Sequence, residues 1–163
     1  MSQPHDPELL GAAQTPTSLP WAANKDGPRT EEEAVEIARR WGVEIPDDIR
    51  FVFRDVLILN KDAYAEYGGF RPFRRVRWSD FYVKHRIPVQ VRRLVLESDE
   101  AIVAVIAHEM HELNALREIF EMRETLSPEE LRRLICAGVR GNLHDEAWDV
   151  ADKLVRAMRE VQK

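Results

Sequence analysis

The sequence predicts an α+β fold, with a small, mostly antiparallel sheet of three or four strands packed against about four helices. Three observations support this. Residues 99–122 and 143–161 repeat apolar side chains at helical spacing. Residues 48–93 are rich in β-favouring residues broken by Gly and Pro. Thr30, Ser98 and Ser127 each stand where a helix start signal is expected. The chain has 163 residues, 44% of them apolar, which suits one domain over 30–163.

Residues 1–29 hold five of the nine prolines (Pro4, Pro7, Pro16, Pro20, Pro28) and no periodicity, so they predict a disordered Pro-rich tail. Trp21 is the one residue there with the means to dock. Thr30-Glu31-Glu32-Glu33 reads as a capping box. Ala34, Ile37, Ala38 and Trp41 then share a helical face, and Gly42 and Pro46 stop the helix. Ile49 to Phe53 and Val56 to Leu59 read as strand, and Gly68-Gly69 with Pro72 as a loop. Arg75 to Trp78 and Phe81 to Val83 read as short strands, and Val89 to Leu96 as the last strand. Ser98 caps the long helix, whose first turn holds Asp99 and Glu100 where the dipole favours acids. Ser127-Pro128-Glu129-Glu130 starts a short helix ending near Gly138. Gly141-Asn142 leads into the final helix.

The net charge of −5 is unevenly spread. Between Arg71 and Arg93 there are eight Lys/Arg and one acid, Asp80, so this segment carries +7 and the remainder −12. Phe70, Phe73, Trp78, Phe81 and Tyr82 interleave with that charge. Such a mixture can hold single-stranded nucleic acid through Arg71, Arg74, Arg75, Arg77, Trp78, Lys84 and Arg86, and His85 could serve a nuclease site. It also arises when one strand face is core and the other is solvated. The single cysteine, Cys136, excludes an internal disulfide framework and reads as buried and inert. The longest apolar run, Ala101 to Ala107, is far short of the roughly 20 residues a bilayer requires. With no signal peptide legible at the N-terminus, the expectation is a cytoplasmic protein or one exported by a signal-less route.

The chemistry is concentrated in Ala107-His108-Glu109-Met110-His111-Glu112-Leu113, where two of five histidines and two glutamates occupy five residues of an otherwise apolar helix. Ile102, Val105, Ile106, Leu113, Leu116 and Phe120 form its apolar stripe. Glu109 falls inside that stripe, His108 and Glu112 lie along its edge, and His111 lies further round toward water. A carboxylate facing a core is costly unless it is paired. His108 and Glu112 are four residues apart and project from one face, so an imidazole and a carboxylate there can share one divalent ion. Glu109 could then accept a proton from a water. The structural alternative is ion pairing of the glutamates with Arg92 or Arg93.

His108-Glu109-Met110-His111-Glu112 resembles the active-site helix of zincin metallopeptidases, His-Glu-x-x-His. The match covers His108 and Glu109 and departs at the last position, which is Glu112. The resemblance implies zinc as the cofactor, Glu109 as general base, a strand before the helix and a third ligand on a later one. The harder carboxylate leaves manganese or iron open. His144, at the edge of the final helix's stripe (Leu143, Ala147, Val150, Ala151, Leu154, Met158) beside Trp148, which reads as core, is the expected third ligand. Asp145 is the reserve, Glu146 the third choice, and His111 a possible addition. The leading expectation is therefore a metal-dependent hydrolase acting on a peptide or protein, gripped by the edge of the strand before the helix. Its small format would suit an effector or toxin-like module. The alternatives are a nucleic-acid-binding protein or nuclease using residues 70–93, and a non-enzymatic helical interaction module. Oligomeric state is not legible.

Overall fold

Thr30 starts the first helix, α1 (Glu31–Arg40), with both halves of the expected capping box. Its Oγ1 accepts from the Glu33 amide at 3.1 Å, and the Glu33 carboxylate accepts from the Thr30 amide at 3.1 Å. The helix ends in a Schellman pattern: the Val43 amide donates to Ala38 O and the Gly42 amide to Arg39 O. Gly42 takes φ +89°, a conformation that favours glycine. The structure, a computed structural model, describes residues 19–47, 49–57, 63–67, 88–122, 125–127, 129–130, 133 and 142–162.

Among the described residues three strands follow: β1 (Arg50–Arg54), β2 (Ala65–Tyr67) and β3 (Pro88–Arg92). Their order is β1-β3-β2, with β1 parallel to β3 and β2 antiparallel to it. The α+β class holds, but the sheet is mixed rather than mostly antiparallel. Alternation in a sequence reports which face a side chain takes, not which way its neighbour runs. Register aligns Phe53, Val91 and Ala65 on one face, and all three are buried. Because β3 is the middle strand, the expectation that its edge grips an extended peptide fails: both of its edges are already paired. The expected strand 89–96 also stops early. The alternation of Val89 and Val91 breaks at Arg92-Arg93, and Arg93–Glu97 is a 3-10 turn burying Val95 and Leu96 consecutively. The short strands expected at 75–78 and 81–83, the loop at Gly68-Gly69 and Pro72, Leu59 and Cys136 lie outside the described residues, as do Arg71, Arg74, Arg75, Arg77, Trp78, Lys84, His85 and Arg86.

The long helix α2 (Asp99–Glu121) is central, packing on α1, β2, the 3-10 turn and the final helix, α3 (Asn142–Val161). It is buried all round rather than along one stripe: every residue from Glu100 to Met110 is buried. Ala101, Ala104 and Ala107, outside the expected stripe, are buried as well. The inward stripe of α3 is Ala147, Trp148, Ala151, Val155 and Met158, so Trp148 is core as expected and Val155 turns further in than expected. Of the short helix expected after Ser127, Glu129, Glu130 and Arg133 are described and helical, and Ser127 Oγ accepts from the Glu130 amide at 3.1 Å.

The expected tail is docked from Leu19 onward. Trp21 is 6% exposed, set edge-on to Tyr64 and stacked against Trp148, with centroids 5.4 and 6.4 Å away. The Asn24 and Arg29 amides each donate at 2.8 Å to the carbonyls of Glu97 and Leu96. Arg29 forks onto Asp99 at 2.8 and 2.9 Å, and the Ala22 amide donates to Glu100 at 3.1 Å. Arg159 of α3 forks onto the same Glu100, both contacts at 3.0 Å. The two acids in the first turn of α2 thus have bidentate arginine partners as well as the helix dipole, and Ser98 Oγ caps the turn by accepting from the Ala101 amide.

Trp21→Ala should lower unfolding free energy by about 3–5 kcal/mol, measured by urea denaturation, because it empties a buried aromatic site. The Arg29 hydrogen bonds, aided by its charge and by Asn24, lower the Asp99 pKa from 3.8. A carboxyl with its folded pKa below its unfolded one adds stability above the unfolded value and loses it as pH falls through the folded one. Asp99→Asn should therefore cost about 1 kcal/mol at neutral pH and flatten the fall in melting temperature below about pH 4.

Candidate metal centre

Packing α3 against α2 brings His144 to the turn of α2 that carries His108 and Glu112. His108 Nε2 is 3.2 Å from Glu112 Oε1, and His144 Nδ1 is 2.9 Å from the same oxygen. One ligand atom from each of the three residues lies within 4.8 Å of the others, so this buried group could hold a metal ion. Ligands about 2.1 Å from a tetrahedral zinc stand roughly 3.4 Å apart, near the two separations from Glu112 Oε1. The side chains of His108 and Glu112 are 3% and 7% exposed and that of His144 is 40% exposed, so the group is dry on its α2 side and open at His144.

The network fixes the protonation pattern. Trp148 Nε1 donates to His144 Nε2 at 3.2 Å, and an indole nitrogen can only donate. His144 Nε2 is thus the bare nitrogen, and Nδ1 carries the proton it gives to Glu112. His108 also turns Nε2–H to Glu112. Burial, outweighing the nearby carboxylate, lowers the His108 pKa and keeps the ring neutral. Burial opposes ionisation of Glu112, but the hydrogen bonds from His108 and His144 prevail and hold its carboxyl well below the usual range. One ionised carboxylate and two neutral imidazoles are a donor set that divalent ions take.

Glu109 is 6% exposed, with Oε1 3.9 Å from His108 Nε2. Burial pushes its carboxyl well up, and the charges of Glu112 and Glu66 push it the same way. Glu66, on β2, is itself buried at 8% exposure. Two buried carboxyls of α2, Glu109 and Glu112, thus lie beside His108, and Glu66 of β2 is close enough to act on Glu109.

His108, Glu112 and His144 come together as ligating groups, with Glu109 adjoining. His111 does not join them: its Nε2 lies 3.4 Å from Glu146, toward solvent as expected. Asp145 is exposed and outside the group. Arg93, a candidate partner for the buried glutamates, instead bonds to Asp55 at 3.1 Å. Sequence reasoning missed Trp148's role, assigning it to plain core. It stacks on the His108 ring, with centroids 3.9 Å apart, while bonding to His144. The signal was its i,i+4 spacing from His144. Glu66 carried no signal, because the three-residue β2 is too short to show alternation. His108 Nδ1 has no hydrogen-bond partner among the described residues, so the Trp148 face stands in for the hydrogen bond that usually orients a ligating histidine.

No family model, curated protein or solved structure matches the chain. No helix among the described residues is long and apolar enough to cross a membrane.

In protein stripped of metal, Glu112→Ala leaves two imidazole N–H groups without their acceptor. Urea denaturation in excess chelator should show a loss of about 2–4 kcal/mol.

Proposed function

We propose that the protein is a zinc-dependent hydrolase acting on peptide bonds, with His108, Glu112 and His144 holding the ion and Glu109 serving as general base. The observation that carries this is a fourth group beside a two-histidine, one-glutamate set: the buried Glu109 carboxyl, 3.9 Å from His108 Nε2. A structural ion needs no such neighbour, whereas hydrolysis needs a group that takes a proton from water and passes it on. That donor composition is the one used by peptidases that hold zinc with two histidines and a glutamate. The positions differ: here the helix supplies one histidine and the glutamate, and a later helix the second histidine. The departure at Glu112 from the zincin pattern is thereby balanced at His144.

Each residue has a distinct task. Glu112 brings the negative charge that offsets a cation and, ionised by its two imidazole partners, is ready to ligate. His108 is fixed between Trp148 and Glu112. His144, the most exposed of the three, is the side from which a substrate would reach the ion. A bound divalent ion would supply Lewis acidity and would draw Glu109 back toward its ionised form.

Equilibrium dialysis should give one zinc per chain, lost in His108→Ala, Glu112→Ala and His144→Ala. Glu109→Gln should keep the zinc and lower hydrolysis of a mixed peptide library by about 10²–10⁴-fold. Zinc bound without peptide hydrolysis in the wild-type protein contradicts the peptidase reading. Failure to bind any divalent ion contradicts the centre itself and favours a purely structural network.

A further inference from the structure

Trp148 does two things at the centre. Its ring lies against His108, with planes 30° apart, and its indole N–H is given to His144 Nε2 at 3.2 Å. Behind it, Trp21 of the docked N-terminal segment stacks at 6.4 Å, with planes 29° apart. The indole is thus packed against two rings, its one donor aimed at the nitrogen of His144 that does not touch Glu112.

This bond has a consequence for ligation. A neutral imidazole has one bare nitrogen and one N–H. If His144 binds an ion through Nδ1, its proton must sit on Nε2, which then faces the indole N–H as a second donor. If it binds through Nε2, the lone pair that accepts from Trp148 is taken by the ion. Either way the Trp148 hydrogen bond and ligation by His144 exclude each other.

We infer that Trp148 is a built-in competitor of the metal ion, holding His144 in its Nδ1–H form so that ion binding must break the indole–imidazole bond. The inference rests on the metal reading above and adds a positioning residue that sets its affinity. The neutral ring neither gains nor loses a net proton: in the Nδ1 case its proton moves from Nδ1 to Nε2, and in the Nε2 case it stays. Glu112 accepts from both imidazoles and His144 accepts from Trp148, so ligation must displace hydrogen bonds already made.

The test uses the full chain labelled with ¹⁵N, with zinc chloride as the probe. Long-range proton–nitrogen correlation spectra of the ion-free protein should show His144 protonated at Nδ1. On saturation with zinc, the Trp148 indole N–H, assigned by its loss in Trp148→Phe, should lose its hydrogen-bonded shift and its protection from exchange. Trp148→Phe keeps an aromatic ring on His108 and removes the donor along with part of the indole, so zinc affinity should rise about 2- to 10-fold, the value of one neutral hydrogen bond. A merely structural tryptophan would give the opposite sign. Nε2 protonation in ion-free wild-type protein, an indole still hydrogen-bonded with zinc bound, or weaker or unchanged affinity in the variant each overturn the inference. The wild-type spectra decide it even if Trp148→Phe does not fold. An absence of zinc binding by the wild-type chain overturns the metal reading and this inference together, whereas zinc bound with an unaltered indole overturns this inference alone.

Discussion

Glu112 Oε1 sits 3.2 Å from His108 Nε2 and 2.9 Å from His144 Nδ1, and it joins two helices in a largely dry interior. An ionised carboxylate there would be costly to bury alone. Two donors aimed at one oxygen make the position tolerable. The same contact fixes the register between α2 and α3 at this end of the pair. At the other end, Arg159 forks onto Glu100, both contacts at 3.0 Å. Glu100 and Glu112 are 12 residues apart, roughly 18 Å along the helix axis. The antiparallel pair is therefore held by polar contacts near both ends, with apolar packing of Ala147, Ala151 and Val155 between them. Geometry at the centre follows from these two contacts, because neither helix can slide without breaking one.

The N-terminal segment extends the same structure. Trp21 packs on Trp148, Trp148 packs on His108, and Ala22 reaches Glu100. A segment whose composition suggests disorder thus braces the aromatic ring behind the histidines and touches the carboxylate at the far end of the helix pair. The proline content of this segment is no obstacle, since a strap needs a few anchors rather than a continuous ladder.

Much of this was legible where the signal is local. The capping box at Thr30, the Gly42 stop and the extent of α2 each depend on residues within a few positions of one another. His108, Glu109 and Glu112 stood out because charges are rare within an apolar run. His144 was reachable only by joining a helical wheel to a resemblance. What stayed hidden was non-local. The parallel pairing of β1 with β3 depends on how the chain between them crosses over, which alternation does not encode. The pairing of Arg29 with Asp99 and of Arg159 with Glu100 spans 70 and 59 residues. Glu66 reaches the carboxyl cluster through β2, which is three residues long. Trp148 was visible as a core residue, but its hydrogen-bond role needed the orientation of a ring that sequence does not provide.

His108, Glu112 and His144 could hold a metal ion or could form a self-satisfied hydrogen-bond network, and we propose the first. The most direct measurement is anomalous diffraction at the zinc edge from crystals grown with stoichiometric zinc. One strong peak is expected about 2.0–2.2 Å from an imidazole nitrogen of each histidine and a Glu112 oxygen. A peak elsewhere, or none, with both histidines still donating to Glu112, would contradict it.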